Sequence, residues 1–180
     1  MDFIELVKKR FSVRKYKQQA IEKEKLEKCL EAARLAPSAS NSQPWKFIVV
    51  NDAGLVGKVA NETFGPLESF NKFVSQAPVI LVIVLEKPKL ITQIGGRLKN
   101  KEWSLIDIGI AAEHFCLQAD EEGLGTCMLG WYNEKPIKKL LNIPEAKSIG
   151  LLITLGYPDY ENIPDKKRKS LDEMLSFNTF

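Results

Sequence analysis

The stretch over residues 104–121 constrains the fold more than any other part of this sequence. At helical spacing its polar residues fall on one narrow stripe, formed by Asp107, His114, Gln118 and Glu121. Apolar side chains cover most of the remaining circumference: Leu105, Ile106, Ile108, Ile110, Ala111, Ala112, Phe115, Cys116 and Leu117. One face can pack on a sheet, and the rest needs a partner helix or a second subunit. The pattern therefore predicts a helix buried on more than one side and indicates a homodimer.

Apolar spacing and helix breakers predict the other elements. A helix is predicted over residues 22–36, where Pro37 ends the apolar period. Short helices are predicted over residues 54–63 and 134–141, and strands over residues 45–50, 78–85 and 149–155. The second strand is apolar on both faces, as in a central, covered strand. The polar, lysine-rich tail over residues 156–180 has no clear period, so it either wraps over a neighbouring subunit or frays.

Length and composition favour one globular domain over residues 1–180. The net charge of +3, from 26 basic and 23 acidic side chains, does not favour a nucleic-acid partner. The longest apolar run falls far short of the ~20 residues that cross a bilayer, so no membrane partner and a cytoplasmic location are expected. The three cysteines, Cys29, Cys116 and Cys127, lack the paired spacing of a metal site and are interpreted as reduced core residues.

A basic segment covers residues 8–17, KKRFSVRKYK, and its β-branched valine and two aromatic residues predict an extended chain over residues 11–16. Side chains alternate in an extended chain, so Arg10, Ser12 and Arg14 would point to one side, and Phe11 and Val13 to the core. Two guanidinium forks beside a hydroxyl suit a phosphate dianion. A solvated basic edge that discourages strand aggregation is an equally good interpretation of this segment alone.

The loop over residues 36–45, APSASNSQPW, lies between a predicted helix and a predicted strand. Its small residues allow close approach of backbone to a ligand, and its Asn and Gln offer donor and acceptor edges. The loop could bind a planar heterocycle, although an ordinary capping loop has the same composition.

A third segment, GLGTCMLGW over residues 123–131, is predicted as a glycine-rich connection between two helices that could lie against a flat ring. It lacks the spacing of a dinucleotide-binding fingerprint and of a P-loop. His114, the only histidine, lies on the polar stripe and suits a surface or interface role. No nucleophile elbow or carboxylate pair stands out, so catalysis by this chain would require a cofactor.

These segments resemble the flavin-dependent nitroreductase family, and they occur in that family's order. The motifs are RFSVRKY, RLAPSASNSQPWKFIVV, DIGIAAEHFCLQADEEGLGTCMLGW, and LGYPD followed by KKRKSLDEM. The resemblance implies an α+β fold, an α/β/α sandwich whose mixed, mostly antiparallel sheet is flanked by helices. It also implies dimerisation through the central helix, with two FMN sites at the subunit interface.

The resemblance also implies which residues bind FMN. Arg10, Phe11, Ser12 and Arg14 would form the N-terminal contact, chiefly with the phosphate, and Arg14 would reach either the phosphate or the pyrimidine edge of the ring. The partner subunit would contribute Pro37, Ser38, Ala39 and Asn41, with Gln43 holding the loop or the ring. Leu129 and Gly130 would place backbone near the flavin N5. Arg168, with Lys166 or Lys169, would close the phosphate site, and Asn71 is the candidate for a further ring contact.

The implied function is hydride transfer from NADH or NADPH through FMN to a nitroaromatic compound, a quinone or a related small acceptor, by a ping-pong mechanism with no obligatory side-chain acid or base. The segment over residues 85–103, which often shapes the acceptor pocket in this family, is expected to be abbreviated. Two alternatives stay open: a flavin- or nucleotide-binding sensor or carrier without turnover, and another flavin reaction on the same fold.

Overall fold

The structure, a computed structural model, describes residues 2–65 and 69–180. Six α-helices occur in this part of the chain: α1 Phe3–Lys9, α2 Lys23–Arg34, α3 Ala53–Asn61, α4 Leu90–Lys99, α5 Trp103–Glu121 and α6 Glu134–Leu140. Four strands accompany them: β1 Trp45–Val50, β2 Val79–Leu85, β3 Gly125–Leu129 and β4 Ser148–Gly156. Short 3₁₀ helices span Ala39–Asn41, Lys72–Gln76 and Leu171–Glu173. Among the described residues, no helix has the length and apolar content that crossing a membrane requires.

The four strands form one sheet in the order β1-β2-β4-β3, and each neighbouring pair is antiparallel. The only parallel pairing among the described residues is an isolated bridge between Ser12 and Thr126. Strand β2 lies between β1 and β4, and its residues from Ile80 to Ile83 have no exposed surface. The continuously apolar sequence therefore marks a central, covered strand, as predicted.

Helices cover the sheet on both faces. Alternate β2 residues point to opposite sides: Leu81 and Ile83 pack with α2 and α5, whereas Ile80 and Val82 pack with α3 and α6. Each face thus has its own apolar core. This arrangement is the predicted α/β/α sandwich.

Helix α5 packs one apolar side on the sheet and leaves another side uncovered. Ile108, Phe115 and Cys116 are buried against the sheet, whereas Ile106 remains half exposed. The uncovered side forms an open groove of about 780 Å³ with residues of α1 and α2, lined by Phe3, Leu6, Ala32, Leu35, Ile106, Gly109, Ile110, Glu113, His114, Leu117, Gln118 and Glu121. Asp107, at one end of the polar stripe, is only 3% exposed, so the stripe does not face solvent along its whole length.

Two further segments differ from expectation. The segment over residues 123–131 is not simply a connection between helices, because its β-favouring run forms β3 and pairs with β4 at the sheet edge. Gly123, with a φ of 77°, makes the turn that separates α5 from this strand. The segment over residues 85–103 contains α4, for which the sequence analysis had predicted no helix.

The basic segment that follows α1 is extended, as predicted, and runs beside β3. The Val13 N–H donates to the Thr126 carbonyl at 2.9 Å, and Val13 is buried. Tyr16 is buried too, and its hydroxyl lies 2.7 Å from Thr154 Oγ1. Val13 also occupies the space beside Gly125, where a Cβ would lie 2.4 Å from Val13 Cγ2. The missing side chain at Gly125 therefore lets the basic segment dock on the sheet.

We predict that Gly125→Ala lowers the free energy of unfolding by about 1–3 kcal/mol, because the added methyl group must displace a fully packed valine. The matched control is Gly57→Ala in α3, where an added Cβ meets nothing within 4 Å. That change should raise stability by about 0.5–1 kcal/mol through helix propensity. Urea denaturation of the two variants measures both effects, and equal effects would contradict the docking of Val13 on Gly125.

Candidate functional site

A basic cavity of about 620 Å³ lies between α1 and the tail segment over residues 163–168. It is lined by Ile4, Val7, Lys8, Arg10, Ile163, Pro164, Asp165, Lys166 and Arg168. Four basic side chains therefore face one acidic side chain around the same space. This set of donors and charges fits a phosphate dianion.

The basic residues of the cavity are held from two directions. Arg10 immediately follows α1, and its Nε lies 3.4 Å from Glu113 Oε1 on α5. Lys166 Nζ donates to the Val7 carbonyl. Partial burial, followed by the charges of Arg10 and Arg168, lowers the pKa of Lys166 below its usual value. The cations thus repel one another, and a bound anion would relieve that repulsion.

The structure separates the predicted phosphate contacts into two groups. Arg10, Lys166 and Arg168 share the cavity, whereas Ser12, Arg14 and Lys169 do not line it. Ser12 is exposed beside Thr126 of β3. Alternation along the tail places Lys166 and Arg168 at the cavity and skips Lys167 between them.

The aromatic residues around the basic segment hold it in place. Phe11 is half-buried, packs on the core and makes an edge contact with Tyr160, with 5.2 Å between ring centroids. The Tyr160 hydroxyl accepts the Arg14 N–H at 3.1 Å, and the Arg14 guanidinium lies 6.0 Å from the Phe73 ring centroid. Arg14 therefore lies further along the segment than the cavity. A contact of Phe11, Ser12 or Arg14 with the cofactor stays a prediction.

The loop over residues 37–43 has an unusual backbone. Ser40, Asn41 and Gln43 adopt positive φ values of 53°, 50° and 47°. For side chains other than glycine this conformation costs roughly 1–2 kcal/mol per residue, with Asn among the most tolerant. The loop is stabilised internally, because the Gln43 N–H donates to Ser38 Oγ and Gln43 Nε2 to Asn41 Oδ1, both at 2.9 Å. The Gln43 side chain thus contributes a hydrogen bond within the loop, and its contact with the ring stays a prediction.

Two helices also anchor this loop from outside. The Ala39 N–H donates to Asp107 Oδ1 of α5 at 3.0 Å. Thr92 Oγ1 of α4 donates to the Ala39 carbonyl at 3.3 Å and lies 2.8 Å from Ser42 Oγ. Lys89, just before α4, donates from its backbone N–H to Ser42 Oγ at 3.2 Å and from Nζ to the Ser40 carbonyl at 3.1 Å.

These anchors were not predicted from the sequence. Asp107 had the period of a solvent-facing stripe, and Thr92 lay in a segment for which no helix was predicted. The one available signal was an aspartate among apolar neighbours near the start of α5. The partner of Asp107 is a backbone N–H of a distant loop, and every residue type except proline has that group, so the sequence does not identify it.

The end of β3 forms the remaining part of the candidate site. Leu129 is buried in the sheet, and Gly130 directly after it is exposed. Trp131 follows, with its carbonyl accepting from Asn71 Nδ2 at 3.3 Å. Asn71 Nδ2 also donates to the Thr63 carbonyl at 3.1 Å, so this amide group fixes the backbone after β3.

The three cysteines are buried, and Cys127 of β3 lies within side-chain hydrogen-bonding reach of Ser12. Cys29, Cys116 and Cys127 are free and buried, as predicted, and burial raises the pKa of Cys116 to about 12. A thiol so protonated is unsuited to nucleophilic attack. His114 is half-buried, with Nδ1 at 3.3 Å from the Ala32 carbonyl, on the groove side of α5.

Comparisons with known proteins agree with this architecture. The sequence model of the nitroreductase family matches residues 7–157. An Archaeoglobus fulgidus protein named "Putative NADH dehydrogenase/NAD(P)H nitroreductase" is 35% identical, over 88% of this chain and 86% of its own length. The iodotyrosine deiodinase of Thermotoga neapolitana is 27% identical over 98% of this chain and 97% of its own.

A solved structure gives the same result. The FMN-dependent nitroreductase of Clostridium difficile is 32% identical and superposes with a TM-score of 0.81, over 99% of this chain and 100% of that chain. Both the sequence and the fold thus match along nearly the whole length. The protein therefore belongs to the nitroreductase family of oxidoreductases.

Proposed function

We propose that this protein binds FMN and passes hydride from NADH or NADPH, through the flavin, to a nitroaromatic compound, a quinone or a related small acceptor. The observation that carries the proposal is the cavity where Arg10, Lys166 and Arg168 converge. Two relatives support the choice of cofactor and donor, one named as FMN-dependent and one as an NAD(P)H nitroreductase.

The chain's own residues bind and orient the cofactor. Arg10, Lys166 and Arg168 hold the phosphate by charge-assisted hydrogen bonds, and Ser12 and Arg14 lie next along the same extended segment. Leu129 and Gly130 offer backbone to the ring where β3 ends. FMN, when bound, supplies the hydride-transfer chemistry, and no side chain is assigned as an obligatory acid or base.

The same proposal includes a homodimer with composite sites. No residue of the loop over 37–43 lines the basic cavity of its own chain, which fits a loop contributed by the partner. Helix α5 leaves its groove open, and large apolar side chains stay exposed around it, with Phe3 62% and Leu35 63% exposed. The tail adds Phe177, which is 80% exposed. A second copy of the chain would cover these surfaces.

A ping-pong mechanism follows from a site with one open face. The loop of the partner subunit and the end of β3 would hold the ring and leave one face open, so the nicotinamide and the acceptor would have to occupy the same space in turn. Because one substrate excludes the other, the first product must leave before the second substrate binds, which is a ping-pong mechanism.

The deiodinase relative favours a second candidate, reductive dehalogenation at the same flavin site. Dehalogenation would use the same bound flavin, so the two candidates differ in the acceptor alone. A flavin-binding sensor or carrier without turnover is the third possibility. Anaerobic reduction of the bound flavin by a nicotinamide, followed by reoxidation with a quinone, would exclude the sensor or carrier.

Lys166 and Arg168 line the basic cavity and Lys167 between them does not, so substitutions at these positions test the proposed function. Lys166→Ala and Arg168→Ala should each weaken FMN binding at least tenfold, because each removes a charge-assisted bond of roughly 1.5–3 kcal/mol. Lys167→Ala is the matched control, since this neighbour does not line the cavity and its loss should change the Kd less than threefold. Fluorescence titration of the apoprotein provides the Kd values. Equal effects at all three positions would place the phosphate elsewhere.

The open side of α5 generates a test of assembly. The protein should sediment as a homodimer with a total buried area above about 2,000 Å². Ile106→Asp should favour the monomer and lower the bound FMN, whereas Ile94→Asp in α4 should do neither, although both isoleucines are 50% exposed. Sedimentation equilibrium with absorbance at flavin wavelengths measures both quantities. A stable, flavin-loaded monomer of the unaltered protein would refute the composite site.

The proposal that the nicotinamide and the acceptor use the same face of the flavin leads to a kinetic test. The purified protein should be yellow and should oxidise NADH or NADPH with a quinone or nitroaromatic acceptor. Double-reciprocal plots should give parallel lines when both substrates are varied, because neither substrate binds while the other occupies the face. Intersecting lines would indicate a ternary complex. If FMN binds stoichiometrically but neither nicotinamide reduces it anaerobically, the reductase proposal is wrong.

A further inference from the structure

We infer that Asp107 and Thr92 are positioning residues that hold the flavin-binding loop, residues 37–43, through the backbone N–H and carbonyl of one residue, Ala39. The inference rests on the proposed function for the identity of the ligand. It adds two residues that belong to no implied FMN contact, and it couples the loop to α4.

The Asp107 carboxylate is placed at an energetic cost. The residue is 3% exposed, and Oδ1 accepts the Ala39 N–H at 3.0 Å. Oδ2 is buried and has no hydrogen-bond partner within residues 2–65 and 69–180. A buried carboxylate with one neutral donor is unfavourable compared with an apolar residue of similar size. The role of the Asp107 carboxylate must therefore be to fix the position of Ala39.

Thr92 completes the attachment from the other side through a directed chain of hydrogen bonds. A hydroxyl has one proton to donate, and Thr92 Oγ1 donates its proton to the Ala39 carbonyl. Ser42 Oγ, at 2.8 Å, must therefore be the donor to Thr92, and it accepts in turn from the Lys89 N–H. Each proton in this chain is used once. This series of hydrogen bonds runs from the start of α4 to the Ala39 carbonyl, and the Ala39 N–H extends it to Asp107 of α5.

The position of Ala39 explains why holding one residue controls the loop. Ser40 and Asn41, the next two residues, are the first with positive φ. Fixing both polar groups of Ala39 sets the direction in which the chain enters this strained turn. A loop already held in its binding conformation loses less conformational entropy when FMN binds. Release of Ala39 should therefore weaken FMN binding without removing any direct contact.

Two conservative pairs of variants separate positioning from bulk. Asp107→Asn keeps an Oδ1 acceptor for the Ala39 N–H, whereas Asp107→Leu keeps the size and loses the acceptor. Thr92→Ser keeps the hydroxyl, whereas Thr92→Val removes it. The matched control is Thr63→Val, a fully buried threonine whose hydroxyl donates to the Ala60 carbonyl outside the loop.

Hydrogen exchange of loop amides in the apoprotein gives a readout independent of flavin chemistry. Asp107→Leu and Thr92→Val should raise loop exchange about tenfold and weaken the FMN Kd about tenfold. Asp107→Asn, Thr92→Ser and the Thr63→Val control should stay within threefold of the unaltered protein. If Asp107→Leu fails to fold, the Thr92 pair, which acts from a different helix, decides alone.

Two results would overturn the inference. Unchanged loop exchange in folded Asp107→Leu or Thr92→Val would show that these side chains do not hold the loop. Raised exchange with unchanged FMN affinity would show that the loop's order does not serve the cofactor. If the unaltered protein binds no FMN at all, the proposed function fails, and the exchange data still decide whether Ala39 is held.

Discussion

The packing of α5 against the sheet determines where every part of the candidate site lies. Phe115 is fully buried at this contact, and Ile108 fills the space beside Gly150 of β4, where a Cβ would lie 2.7 Å from Ile108 Cδ1. Because this packing fixes the position of α5, its acidic side chains hold the groups that they contact in place. Asp107 holds the loop, Glu113 pairs with Arg10, and Asp120 pairs with Lys9 at 3.2 Å. At a rise of about 1.5 Å per residue, these contacts extend over roughly 20 Å of one rigid element.

The acidic residues of α5 also balance the cations around the basic cavity. Glu113 pairs with Arg10 and thereby offsets part of the repulsion among Arg10, Lys166 and Arg168. Burial, and after it the remaining repulsion from Arg10 and Arg168, lowers the pKa of Lys166 below its usual value. A bound dianion would oppose that shift by favouring the charged form of Lys166. The basic cavity is therefore electrostatically suited to an anion.

Sequence patterns predicted the elements whose structure depends on local residues. They failed where contact between distant segments decides the structure. Strand β2 and helix α5 were predictable because apolar residues cover both faces of the strand and most of the circumference of the helix. The extended part of the basic segment was predictable because Phe11, Val13 and Tyr16 favour β structure. Strand β3 was missed because its flanking glycines suggested a connection, whereas pairing with β4 is a tertiary effect. The anchors of Ala39 were missed because hydrogen bonds to backbone groups carry no side-chain signature.

The same division explains why this fold specifies its cofactor better than its acceptor. The basic cavity and the loop are tied to α1 and α5, so their positions depend on how these helices pack on the sheet. Helix α4 contributes much less to the core, and Leu90, Ile91 and Leu98 are about 70% exposed or more. Its sequence can therefore change at little cost in stability, except at Thr92, which faces the loop. On the proposed function, a segment that is free to vary and yet hydrogen-bonded to the loop over residues 37–43 would provide a physical route by which proteins of one fold direct the same flavin to different acceptors.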